Sequence, residues 1–238
     1  AFGTRHLDTS ERHEGMVAAI ALESVVKLLA FVAVGVFVCW GLFDSPGEIF
    51  TRAARSADLQ PLLGLGGEGR FAGGQWFALT LLSMLSVIFL PRQFQVMVVE
   101  NVDEGHLRRA AWVFPLYLLL INLFVLPIAL GGLLHFGKGG ADPETFVLSL
   151  PLALDRPLLA LAAFIGGLSA ATGMIIVEAI AVSTMVSNDL VMPLLLRFRR
   201  RDDARDLSGT PLALRRIVIV VLLLLGYLYF RIAGEAYA

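Results

Sequence analysis

Cysteine occurs once in the 238 residues, at Cys39, so the chain has no intrachain disulfide framework and no Cys-based zinc site. Within an apolar stretch, that thiol reads as a small packing residue. Histidine is almost as scarce. His6, His13, His106 and His135 are scattered, the first two lack metal-ligand spacing, and nothing near them supports catalysis. Nothing at the start of the sequence reads as a signal peptide, because residues 1–15 are polar and the apolar run that follows is too long for an h-region. The connection 44–75 is rich in glycine (Gly64, Gly66, Gly67, Gly69, Gly73, Gly74) but has no Gly-Lys-Ser/Thr after it and no strand before it, which argues against a phosphate loop. It reads as a flexible outside loop with a short interfacial helix at 47–57. The chain also lacks an initiator Met and stops just beyond an apolar helix, and is read as a piece of something longer.

What is abundant is apolar sequence. At 57% hydrophobic and a mean hydropathy of +0.77, the chain exceeds the roughly 45–50% of soluble domains. A transmembrane helix needs about 20 apolar residues. Stretches of that kind lie at about 16–43, 76–99, 107–134, 158–186 and 212–230, predicting an all-α membrane protein with five transmembrane helices. The connection 137–157, with Pro143, Pro151 and Pro157, suits a surface loop. Basic residues fall in alternate gaps: twelve lie on the side of Arg5, Arg12, Arg92, Arg108, Arg109 and the run from Arg197 to Arg216, against five at Arg52, Arg55, Arg70, Lys138 and Arg156. The positive-inside rule then puts the N-terminus in the cytoplasm and the C-terminus outside. The Arg197–Arg201 run, immediately cytoplasmic of a span, is explained by topology and anionic lipid rather than by nucleic acid.

Polar groups inside the spans are the candidate functional residues. The second span has an uninterrupted apolar run of 14 residues, about 21 Å, before Pro91, too short for a roughly 30 Å hydrocarbon core. Its helix must continue past Pro91, either as a simple kink or as irregular backbone facing a cavity. Ser83 and Ser86 before the proline, Gln93 after it and Asn122 in the third span are the candidate cavity-lining groups; Asn122 alternatively makes an interhelical hydrogen bond. In the first span, Glu23 and Lys27, four apart with the acid first, share a face as a structural ion pair or as part of a relay. In the fourth, small residues recur through 166–173, and Ser169 and Thr172 place two hydroxyl oxygens on one face. Ser169 lies 11 residues in from Leu158, about 16 Å and near the midplane. The pair is either a sodium site or two hydroxyls bonded back to their own helix. Glu178 lines an inner vestibule or pairs with a basic neighbour.

Three long segments, FGTRHLDTSERHEGMVAAIALESVVKLLAF, FLPRQFQVMVVENVDEGHLRRAAWVFPLYLLLINLFVLPIAL and GGLSAATGMIIVEAIAVSTMVSNDLVMPLLL, resemble the sodium:solute symporter family. More specifically, they are similar to the symporter-like membrane domain fused to CbrA-type sensor histidine kinases. The resemblance implies part of a LeuT-like inverted-repeat bundle, with the last helix of the first repeat followed by four of the second, and a site at the midplane. It makes the Pro91 helix the counterpart of the discontinuous, substrate-facing helix. Ser187-Asn188-Asp189-Leu190 matches the ending of the family's sodium-binding helix, but counting back puts Gly173 and Met174 where its adjacent hydroxyls fall, leaving Ser169 and Thr172 as the nearest candidates. Further sodium ligands would come from the first core helix, upstream of this chain. Where proline carriers have Trp and Tyr, this chain has Ser83 and Val87.

The implied function is a domain of the bacterial inner membrane that binds or transports a small solute such as an amino acid, with sodium as its ion, and reports to a C-terminal kinase domain. A stand-alone sodium-coupled transporter and a transport-inactive membrane anchor are the alternatives. The expected partners are the lipid bilayer and the solute, not nucleic acid, and no catalytic residue is assigned in this region.

Overall fold

The computed structural model describes residues 14–60, 63, 73–137, 139–198 and 210–233. His6, His13, Arg5, Arg12, Gly64 to Arg70, Lys138 and the arginines from 199 to 205 lie outside them. Among the described residues the regular elements are all helical, with no strand. In chain order they are α1 (Glu14–Phe37) continued by a π-helical turn Val38–Leu42, α2 (Pro46–Arg55), α3 (Gly73–Phe89), and α4 (Pro91–Phe94) with a second π turn Gln95–Val99. There follow α5 (Glu104–Phe136), a 3-10 turn Pro143–Thr145, α6 (Phe146–Ala153), α7 (Pro157–Met185) with a third π turn Val186–Val191, α8 (Met192–Phe198) and α9 (Thr210–Ala233).

Among the described residues, four helical segments are long and apolar enough to cross a bilayer: Gly15–Leu42, Glu104–Phe136, Pro157–Leu194 and Leu214–Ala233. A bent pair, Gly74–Phe89 and Pro91–Val99, makes a fifth if counted as one span. All overlap the predicted stretches. The largest departure is the fourth, which runs on through its π turn to Leu194.

The second span is broken, not simply kinked. Leu90, squeezed by the Pro91 ring, leaves the helical region for φ −71°, ψ 127°, and Pro91 opens the next helix where a missing N–H costs nothing. Leu90 O then accepts from the amides of both Gln93 and Phe94 at 3.0 Å, and the axis bends by 47°.

The described chain divides into two compact units. One comprises Ile20–Ser86 and Val102–Thr172. Its core gathers Val34, Val38 and Cys39 from α1 and its π turn, Phe124 and Ile128 from α5, Ile49 from α2, and Phe146 and Leu150 from α6. Two α5 and α1 glycines set the approach: a Cβ at Gly35 would overlap the Phe124 ring, and one at Gly132 would overlap Phe146. Where lipid is as apolar as the side chains, such close packing is what holds helices together.

The connection 137–157 departs from the expected surface loop. Asp142 caps it, its carboxylate accepting from the Glu144 amide at 3.0 Å, and Pro143 sits at the first turn. Phe146 and Leu150, one helical turn apart, then bury completely, and Phe136 stacks on Phe146 with ring centroids 5.8 Å apart. Pro151 lies inside this eight-residue helix, where its ring nitrogen has no proton to donate to the carbonyl four residues back.

A short helix, α2, is present where one was expected at 47–57. Ser45 Oγ accepts from the Glu48 amide at 3.2 Å, Pro46 occupies the first turn, and the Glu48 carboxylate accepts from the Asp44 amide at 2.8 Å. Ile49 and Ala53, four apart, are buried. Arg52 pairs with Glu48 and lies 5.4 Å from the centre of the Phe43 ring. The Asp44 amide, reinforced by Arg52, holds the Glu48 carboxyl below its ordinary range.

The other unit takes in the start of α1, Val87–Asn101 and the described residues from Gly173 onward. Met16, Val177, Ile180 and Ala181 are buried there together with the polar Ser183, Ser187 and Glu100. α9 packs on the π turn Val186–Val191, but most of its side chains, Leu224, Tyr227 and Phe230 among them, are exposed.

Candidate functional site

The polar side chains singled out from sequence are mostly engaged with their own helices. Thr172 Oγ1 lies 2.8 Å from Leu168 O and 3.0 Å from Ser169 O, so its proton points back into α7. Donating that proton leaves the oxygen lone pairs free, and Ser169 is half-buried on the same helix, so the two hydroxyls retain the chemistry of partial ligands for a hard cation. In α3, Ser83 donates to Leu79 O at 2.8 Å and Ser86 to Ser83 O at 2.7 Å. Asn122 is exposed and donates through Nδ2 to Leu118 O at 2.8 Å, a bond within α5 and not an interhelical one. Gln93 is half-buried in α4, and its neighbour Gln95 donates to Glu100 Oε1 at 3.2 Å. Glu178 is half-buried on α7.

Glu23 and Lys27 do not form the expected ion pair. Both are described, yet no contact within 4 Å joins the carboxylate to the ammonium. Lys27 Nζ instead stands 5.8 Å from the centroid of the Tyr117 ring on α5, and Tyr117 donates its hydroxyl to Ser24 O at 3.2 Å. The ring that binds the ammonium face is thus itself fixed to the turn that carries Lys27. An aromatic face attracts a cation and competes with a flexible i, i+4 pair whose own gain is a few tenths of a kcal/mol.

Lys27 also lines a half-open cavity of about 410 Å³ whose walls come from α1, α6 with its preceding turn, and α7. Its walls are predominantly apolar, with Ala30 and Phe31, Val147 and Leu148, and Ala163 and Phe164 contributed by the three segments. α1 and α7 approach closely at its edge, where a Cβ on Gly166 would come within 2.7 Å of the Ala30 methyl. At Gly167, which also lines the cavity, a Cβ would meet nothing within 4 Å. Ser169, Thr172, Ser83, Ser86, Gln93 and Asn122 are not among the lining residues. The sequence signal for this site lay in Asp142-Pro143-Glu144 followed by Phe146 and Leu150, a helix start with one buried face.

Among the described residues no group of three or more His, Cys, Asp or Glu could hold a metal ion. No family model, curated protein or solved structure matches the chain.

Proposed function

We propose that this chain is part of a sodium:solute symporter-like membrane domain that binds or transports a small solute, and that it serves as the sensory input of a histidine kinase. The observation that carries the solute-binding part is the broken second span. A helix interrupted at Leu90 and bent by 47° exposes backbone polar groups that lipid cannot satisfy, so such a break belongs beside protein or a watery cavity. The kinase part is carried by the resemblance of the three long segments to the CbrA-type membrane domain, as is the LeuT-like arrangement. In this reading Ser169 and Thr172 supply two of the oxygens that replace sodium's hydration. The ion would couple solute binding to the membrane gradient, while the chain's own hydroxyls orient it on α7.

Uptake and binding of a panel of labelled amino acids by the full-length protein, with sodium or choline as the cation, tests the reading. Sodium-stimulated binding that is lost in the Ser169→Ala, Thr172→Ala double variant is the expected result. Binding without uptake would select the sensor over the carrier. Absence of both in a correctly inserted protein would leave the membrane-anchor reading. Orientation is checked by cysteines at Ser56 and Ser208 in a Cys39→Ser background, which should be labelled from outside and inside respectively.

A further inference from the structure

Lys27 is 12 residues from the start of the span Gly15–Leu42, about 18 Å along its axis and close to the middle of the segment. An ammonium at that position costs about 2.5–3.5 kcal/mol on insertion. One cation–π contact, worth about 0.5–2 kcal/mol, offsets part of that and is not itself a hydrogen-bond acceptor for the three N–H donors. Glu23, a turn away, does not supply one. The cavity beside Lys27 is apolar apart from this cation, the Thr145 hydroxyl and Glu144, an exposed acid at the start of the 3-10 turn.

We propose that this cavity binds an organic monocarboxylate with an apolar body. The carboxylate accepts from Lys27 Nζ, and the body lies against Phe31, Val147, Leu148 and Phe164. Glu144 repels a second carboxylate and so disfavours dicarboxylates. The inference goes beyond the solute-binding reading, because the cavity is lined neither by residues of the broken second span nor by Ser169 and Thr172. Its test is direct binding, which is independent of sodium and of uptake.

The full-length protein in nanodiscs, with empty nanodiscs as the blank, is titrated calorimetrically with octanoate, octanamide and octanedioate. Octanoate should bind at least about tenfold more tightly than octanamide, as a charge-assisted hydrogen bond requires, and more tightly than octanedioate. Lys27→Gln should remove the preference for octanoate over octanamide, and Lys27→Arg should keep most of it. Gly167→Leu projects into open space and not into a neighbour, so it should weaken octanoate and octanamide alike while the thermal unfolding temperature holds. Equal affinities for octanoate and octanamide in the unmodified protein, a preference that survives Lys27→Gln, or no binding of any probe would overturn the proposal. Carboxylate-selective binding in a protein that shows no sodium-dependent uptake would sustain it while removing the transport reading.

Discussion

In the unit formed by Ile20–Ser86 and Val102–Thr172, glycines lie against aromatic rings and the core draws on five helical segments. In the other unit, the buried set includes Ser183, Ser187 and Glu100, and among its described residues the buried Ser187 Oγ and Arg215 Nε have no hydrogen-bond partner. Both are made of similarly apolar helices, so hydrophobicity does not distinguish them. What differs is steric complementarity. A ring seated where a Cβ would fall fixes one arrangement, whereas a leucine left exposed on α9 fixes none.

Truncating Phe146 should have the largest effect. Phe146→Ala removes a ring that is 1% exposed and should cost about 3–5 kcal/mol in reversible unfolding from micelles. Leu224→Ala, at a side chain 61% exposed on α9, should stay within about 0.5 kcal/mol. Comparable losses at the two sites would break the contrast. Gly132→Val drives a side chain into Phe146 and should cost about 1–3 kcal/mol. Gly226→Ala, where a Cβ meets nothing within 4 Å, should stabilise α9 by up to about 1 kcal/mol.

Polar groups sharpen the comparison at smaller scale. Tyr117→Phe removes the hydrogen bond to Ser24 O and should cost about 1 kcal/mol, whereas Ser187→Ala deletes a buried hydroxyl without a partner and should be neutral or stabilising. The smallest effect belongs to α2. Because the Glu48 carboxyl is held below its ordinary value of 4.5, its capping contribution is present at neutral pH and is lost as pH falls through the lowered value. Amide exchange at the start of α2 should accelerate over that acidic range, and Glu48→Gln should flatten the dependence.

The spans were legible because 20 apolar residues in a row admit few other structures, and α2 because Ser45, Pro46 and Glu48 spell a helix start. The break at Pro91 was legible as a length deficit in the apolar run. Spacing could place Glu23 and Lys27 on one face, but it could not show that Tyr117, 90 residues later, offers the ammonium a better surface. α6 was hidden because prolines dominate a reading by composition, while the burial of Phe146 and Leu150 depends on a groove that α1 and α5 must first create. The cavity was illegible for the same reason, since its walls come from three separated segments.

The π turns set where the sequence can change length. A turn such as Val186–Val191 holds one residue more than an α-helix needs, and elsewhere in a span removing a residue rotates everything downstream by about 100°. Deleting one residue within 186–191 lets the turn relax to α-helix and leaves α8 in phase with α7, whereas the same deletion at 175–180 turns the far end of the helix away from its neighbours. The ends of the first, second and fourth spans, each carrying such a turn, are therefore the positions at which single-codon losses should be tolerated in a deletion scan.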